Sequence, residues 1–511
     1  MKRFFEILPG ALAWITIILM FLLSWLAPAW TAIFIILFDI YWLLKTVYLS
    51  IHLRVSFKKI RENLKVNWLN ELANLRECST NNTNNISEIR GQICDYSRIY
   101  HLIILPMYKE QYEVVRESFN ALAKTNYSKD KIIVVLAPEE RAGEETRETA
   151  RKIENEFSGK FFKFLTVFHP VDLPGEIPGK GSNQAWAAKE VKKSIIDSLQ
   201  IPYENILLSV FDVDTQVPLN YFGRLTYVFL TCKNPQRSSF QPVPLFTNNI
   251  FQATALARVI AFSSTFWHMI QQSRPERQTT FSSHSMSFKA ITEIGFWDKD
   301  IVSEDSRIFW QCYLHYGGDW RVEALFYPVS MDANVAPTFW KTMVNQYKQQ
   351  RRWGWGCENI PYFLKGFGKD SAGKKRIPLG KKLYWTFNIL ESFHSWATNT
   401  LMIFALGWLP IYLGGANFSF TVLSYNLPQV TKFIMTLAMV GVVSSAILSI
   451  ILLPPKPNWF KKRHYVFYIL QWLLMPITLV IFGAIPGLEA QTRMMLGGKF
   501  RLGFWVTPKH R

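Results

Sequence analysis

With 511 residues the chain has room for more than one domain, and 49% of it is hydrophobic, yet it carries a net charge of +19. Thirty-nine Phe, 20 Tyr and 19 Trp beside such a basic excess fit a membrane protein whose Lys and Arg face anionic lipid. Nucleic acid is excluded as the partner, because no Lys/Arg block alternates with a stacking motif and the basic residues cluster beside apolar runs.

Two apolar stretches open the chain, roughly 7–27 and 30–51, each near the ~20 residues a bilayer core requires. Lys2 and Arg3 ahead of an apolar core also suit a signal peptide, but this core is too long and a second span follows at once. Next, Ile60, Leu64, Trp68, Leu72 and Leu75 recur every three to four residues, which predicts an amphipathic helix on the membrane face or on the soluble domain. Residues 78–97 read as a polar loop, whose sequons at Asn81 and Asn85 are inert on the cytosolic side. The predicted core then alternates: strand 100–105, helix 111–125, strand 131–136, helix 143–157, strand 161–168, helix 182–199 and strand 206–211. That order predicts a parallel α/β sheet covered on both faces, with ligands beyond the carboxyl ends of the strands.

Three more apolar runs lie near 395–413, 431–453 and 465–485. Lys2, Arg3, Lys45, Arg54, Lys58, Lys59 and Arg61 put the soluble region in the cytosol by the positive-inside rule, as do Lys461, Lys462 and Arg463. Five full spans would leave the tail outside, although it holds Arg493, Lys499, Arg501, Lys509 and Arg511. Pro476 and Pro486 break the last run, which therefore reads either as re-entrant or as hiding a sixth crossing. The cysteines Cys78, Cys94, Cys232, Cys312 and Cys357 form no Cys-x-x-Cys pair, so they read as reduced thiols, neither a disulfide frame nor a zinc site.

Three signatures stand in order between the apolar runs. Asp212-Val213-Asp214 closes an apolar strand and suits Mg²⁺ or Mn²⁺ holding a diphosphate, or a plain turn. Ser303-Glu304-Asp305 offers Asp305 as a general base with Glu304 beside it to raise its pKa, and equally suits the acidic first turn of a helix. Gln349, Arg352 and Trp353 share a helix face, with Arg352 for a diphosphate and Trp353 for an acceptor ring, or they belong to an interfacial aromatic belt.

The soluble region resembles the GT-A domain of family 2 glycosyltransferases. Pro106-Met107-Tyr108-Lys109-Glu110 is similar to that family's Pro-x-Tyr-Asn-Glu, and Gly179-Lys180-Gly181-Ser182-Asn183-Gln184-Ala185 to its Gly-Lys-x-x-x-Leu-Asn. Asp212-Val213-Asp214, Glu304-Asp305 and Gln349 to Trp353 match its Asp-x-Asp, Glu-Asp and Gln-x-x-Arg-Trp. With flanking spans, the last motif points to the branch holding cellulose and hyaluronan synthases and ceramide glucosyltransferase. The tail Phe504-Trp505-Val506-Thr507-Pro508-Lys509 is similar to the end of cellulose-synthase-like chains. One departure stands out: where the family carries Asp-Asp after the second strand, this chain has Leu136-Ala137-Pro138-Glu139-Glu140, so Glu139 or Glu140 would meet the nucleotide base.

The resemblance implies an α/β GT-A domain, Rossmann-like with a mostly parallel sheet, on α-helical transmembrane segments. Its implied donor residues are Pro106, Tyr108, Glu110, Glu139, Lys180, Asp212, Gln349 and Arg352, although Lys180 equally suits a surface lysine. Trp353 and His284 fall on the acceptor side, His284 also reading as structural, and Asp212 and Asp214 hold the metal. The expected organisation is 1–53 membrane hairpin, 54–97 interface helix and linker, 98–335 GT-A domain, 336–390 Gln-x-x-Arg-Trp segment, 391–490 membrane helices and 491–511 basic tail. The expected activity is inverting transfer from a nucleotide sugar, with UDP the expected nucleotide, to a growing polysaccharide or to a ceramide-like or polyprenyl-phosphate lipid. The enzyme is expected in the cell membrane as a multi-pass protein with its catalytic domain in the cytosol. A transporter would bury charges in its spans, which apart from Asp39 hold almost none, and a non-catalytic relative would have lost one of the acidic signatures.

Overall fold

The computed structural model describes residues 2–81, 95–367 and 376–508. Cys94, Asn85, Lys509 and Arg511, singled out above, lie outside them, as do the side chains of Cys78 and Asn81. The other three cysteines are free thiols.

Helices α1 (Lys2–Leu26) and α2 (Pro28–Asn63) form the opening hairpin, and α3 (Trp68–Asn81) follows. The continuous amphipathic helix expected across residues 60–75 is therefore two helices: Ile60 lies in the last turn of α2, and the chain turns at 64–67. Trp68 and Leu72 are buried in the core of the α/β layer, where Trp68 lies against Gly223 and packs at a tilt on the Tyr227 ring, 5.0 Å between centroids. Indole area that packs against a core gains more than it would half-immersed at an interface.

The catalytic layer runs β1 (Tyr100–Met107), α4 (Tyr112–Lys124), β2 (Ile132–Pro138), α5 (Glu144–Phe157), β3 (Lys163–Thr166), α6 (Lys180–Val191) and β4 (Ile206–Val210). Next come α7 (Tyr221–Thr231), β5 (Ser238–Phe246), α8 (Ala255–Gln272), β6 (Ser285–Ser287), α9 (Phe288–Glu293), α10 (Glu304–His315) and β7 (Arg321–Met331). All seven elements expected from strand–helix alternation are present, with β3 four residues shorter than expected and α6 opening two residues earlier. The strand order is β3-β2-β1-β4-β6-β5-β7, and only β6 runs antiparallel to its neighbours. Successive residues of β1 and β2 serve opposite cores: Leu102, Ile104, Ile133 and Val135 one, Ile103, Leu105, Ile132 and Val134 the other. A strand buried on both faces must be apolar throughout, which is why these runs show no alternation. Register then aligns the site, since Met107 pairs with Pro138 and Ile104 with Val210, so the loops after β1, β2 and β4 leave the same edge side by side.

Helices α11 (Phe339–Gly354) and α12 (Asn359–Gly366) lead to α13 (Leu379–Phe404), α14 (Val422–Ile451) and α15 (Lys462–Leu496), the last interrupted by tight and wide turns. By length and composition α1, α2, α14 and α15 are able to cross a membrane, and α13 with Leu406–Leu413 forms a further pair bent by 46°. Both ends of α15 meet catalytic-layer helices. Near its start Gln471 accepts from Arg258 of α8 at 2.7 Å and Trp472 stacks on Phe266. Near its end Glu489 accepts from Tyr347 and Arg351 of α11, each at 2.7 Å.

Candidate active site

Four loops at the carboxyl edge bring the acidic signatures onto one cation. Lys180, the first residue of α6, is pinned over this edge because Ala185, Ala187, Ala188 and Val191 bury the helix in the core. Its ammonium lies 2.9 Å from both oxygens of Asp305, 2.7 Å from Asp212 and 3.7 Å from Glu304. Burial alone would lower the Lys180 pKa, but the carboxylates of Asp212, Asp305 and Glu304 outweigh it and raise the pKa above the ordinary lysine value. Glu304 is buried, and its pKa is driven up first by that burial and then by Asp305, with Lys180 and Arg352 opposing. Ser282 donates to the other Asp212 oxygen at 2.8 Å.

His284 joins this cluster from β6's leading loop, its Nδ1 3.9 Å from Asp305. The same Nδ1 lies 2.9 Å from the Phe281 carbonyl, which can only accept, so Nδ1 carries the proton. Burial lowers the His284 pKa, so the ring is a neutral neighbour of Asp305. Asp214 sits deeper, fully buried, accepting the Asp332 amide at 3.0 Å and thereby joining the β4 and β7 ends.

Ser303-Glu304-Asp305 does open a helix, with both acids in the first turn of α10, but the Ser303 hydroxyl does not cap it. It donates instead to Glu358 at 2.6 Å. The same Glu358 oxygen accepts the amides of Val302 at 3.1 Å and Ser303 at 2.9 Å, and its partner oxygen accepts the Trp355 indole at 3.0 Å. Glu358 thus fixes the peptide that aims Glu304 and Asp305. Nothing in its local sequence marks it, since the two amides it holds lie 55 and 56 residues away. Glu358→Ala is expected to lower kcat about 10²-fold with donor affinity little changed, because a displaced base costs the chemical step first. Glu358→Gln, which keeps a carbonyl acceptor for the two amides, is expected to fall between; equal losses of kcat and donor affinity would reject the role.

Arg352 stacks on Phe504 of the tail at 5.1 Å, and a Cβ on Gly179 would meet that same phenyl ring at 2.6 Å. The tail therefore returns to the mouth of the site and requires glycine there. Gln349 accepts from Asn334 at 3.4 Å and Gln346 at 3.2 Å, and Trp353 lies 6.3 Å from the Phe246 ring; among the described residues neither hydrogen-bonds to the carboxylate cluster. Beyond β1 and β2, Glu110 accepts the Tyr108 amide at 2.8 Å, Glu139 pairs with Arg141, and the Arg141 guanidinium lies 4.5 Å over the Tyr108 ring. Pro106 lies within β1 opposite Ala137.

Among the described residues no group of three or more His, Cys, Asp or Glu is arranged as a metal cage. A magnesium-type ion needs no such cage, since it takes one or two carboxylates and completes its shell with phosphate and water. Asp212, already facing a cation at 2.7 Å, fits that demand.

A mostly parallel sheet of this order, with carboxylates gathered at its carboxyl edge, is a GT-A-like α/β domain. The chain belongs to glycosyl transferase family group 2, whose profile matches residues 208–485, more than half its length. No curated protein matches it. Among solved structures it is similar to the mannosyltransferase PcManGT from Pyrobaculum calidifontis in complex with GDP-Man and Mn²⁺. There the identity is 12% and the TM-score 0.40, over 81% of this chain and 99% of that one. It is also similar to S. aureus TarS 1–349, at 12% identity and a TM-score of 0.34 over 68% of this chain and 90% of that one.

Proposed function

We propose that the protein is an integral membrane, inverting glycosyltransferase that moves a sugar from a nucleotide donor onto a growing polysaccharide. The observation that carries this reading is the convergence of Asp305, Glu304 and Asp212 on one cation at the edge where the β1, β2 and β4 loops meet. Asp305 accepts the proton of the acceptor hydroxyl as that oxygen bonds to the anomeric carbon, and the bond to the diphosphate breaks on the opposite face. Lys180 and Arg352 oppose the charge that develops on the leaving diphosphate. Asp212 and Asp214 are the residues that would hold Mg²⁺ or Mn²⁺, which when bound supplies further neutralisation of that charge.

The loop before β6 supports a glycan acceptor. Arg274 Nε, both polar atoms of the Gln278 side chain, Thr280 Oγ1 and His284 Nε2 are buried without hydrogen-bond partners among the described residues. Buried polar atoms in such number call for hydroxyl-rich company. The loop is anchored to the membrane helices through Arg277, which pairs at 2.9 Å with Glu391 of α13, itself 3.0 Å from Lys45 of α2. An acceptor beside His284 and Trp353 would thus leave between the spans, as in the synthase branch. With α1, α2, α13 and α14 crossing and α15 re-entrant, its ends held by Arg258 and Arg351, an even number of spans keeps the basic tail on the cytosolic side of the cell membrane. Labelled donor supplied to proteoliposomes tests the acceptor: a size ladder of saccharide supports the polymer, and a single labelled lipid supports transfer to a ceramide-like or polyprenyl acceptor.

Glu139 is proposed to read the nucleotide base, with Arg141 and Tyr108 beside it. Glu139→Ala is expected to raise the donor Kd about tenfold, since a buried carboxylate accepting a base N–H contributes roughly 1.5–3 kcal/mol. The bound donor should then react at nearly the normal rate. An unchanged Kd, measured by calorimetry with the cognate nucleotide, would assign base recognition to backbone groups or stacking instead.

A further inference from the structure

We propose that a basic recess at the root of α13 binds the phosphate of an anionic lipid headgroup. The recess holds about 230 Å³ and is lined by Lys233, Arg237, Arg321 and Lys381 against, among the described residues, a single acid, Asp319. It lies where β5 and β7 begin, around the Ser238 and Arg321 pairing, and so at the opposite end of the sheet from the carboxylate cluster. No step proposed above uses it.

Its wall is rich in donors and short of acceptors. Arg237 gives one N–H to Asp319 at 2.7 Å, Arg321 pairs through Nε with Glu323 at 2.9 Å, and Lys381 donates to the Gly318 carbonyl at 2.9 Å. Each retains further N–H groups. Trp320, only 5% exposed, also lines the recess, and its indole N–H and Arg321 Nη2 are buried beside it without partners among the described residues. A buried donor without an acceptor is costly, and a phosphate oxygen answers both.

The position selects a lipid over a free anion. Lys381 stands near the start of α13, which exposes Leu379 (70%), Leu383 (62%) and Phe387 (68%) one turn apart along a single stripe. That helix enters the bent pair apolar enough to cross a membrane. A lipid-facing stripe beginning beside four cations sets the recess at headgroup depth, where basic pockets attract anionic lipid.

The test is a thermal-unfolding titration of the full-length protein in neutral detergent. Short-chain dioctanoyl phosphatidylglycerol is compared with dioctanoyl phosphatidylcholine and with inorganic phosphate. A saturable rise in Tm is expected with phosphatidylglycerol alone. Its midpoint should move at least about tenfold higher in Lys233→Ala/Lys381→Ala, and return in Lys233→Arg/Lys381→Arg, which guards against a folding defect. An equal rise with inorganic phosphate would overturn the lipid assignment. So would an unaltered phosphatidylglycerol midpoint in the alanine pair, or no rise at all in the parent protein.

Discussion

Asp305→Asn is expected to abolish sugar transfer, roughly 10²–10⁴-fold in kcat, while donor affinity stays near that of the parent. The amide preserves the shape of the side chain and one oxygen for Lys180, which now touches both Asp305 oxygens at 2.9 Å. It cannot take a proton from the acceptor hydroxyl. Asp305 is bound to the Lys180 ammonium, and its neighbours Glu304 and His284 are buried. Asp305 is therefore a member of a half-buried charge cluster with Lys180, Asp212 and Glu304. Transfer and nucleotide affinity measured side by side decide the matter; transfer near the parental rate would remove Asp305 from the mechanism.

Strict dependence on a divalent cation is the second expectation of large effect. Excess EDTA should stop transfer and added Mn²⁺ or Mg²⁺ should restore it, while Asp212→Ala and Asp214→Ala should each lose it without rescue. The structure separates the two acids. Asp212 is partly open and faces Lys180 and Ser282, whereas Asp214 is buried and holds the Asp332 amide. Asp212→Ala should thus lose activity with little change in Tm, and Asp214→Ala should also lower Tm, because a buried amide is left without its acceptor. Full activity in EDTA would reject the metal role and leave Lys180 as the cation at this edge.

Much of the catalytic layer could be read from the chain because its signals are local. Ile132 to Leu136 is apolar at every position and Ile206 to Val210 at all but Ser209, as suits strands buried on both faces, and turn-forming segments separate them from the helices. The position of Asp212-Val213-Asp214 was also legible, since it follows a strand whose end the pattern marks. Other features depend on partners far away in sequence. Glu358 is one charged residue among many until the fold brings Val302 and Ser303 to it. The regular spacing of Ile60, Leu64, Trp68 and Leu72 continues through a real break, because periodicity records which face is apolar and not where the backbone turns. Likewise the last apolar run has the length of a span, and only its contacts with α8 and α11 show that both ends meet the catalytic layer.

The most direct measurement is release of nucleoside diphosphate by the purified full-length protein, in lipid with Mg²⁺ or Mn²⁺, across a panel of uridine and guanosine sugar nucleotides. Release is predicted from one donor or a small set sharing a base, with Asp305→Asn silent on the same donors. No release from any member of the panel, or equal release by Asp305→Asn, would contradict sugar transfer at the Asp305 site.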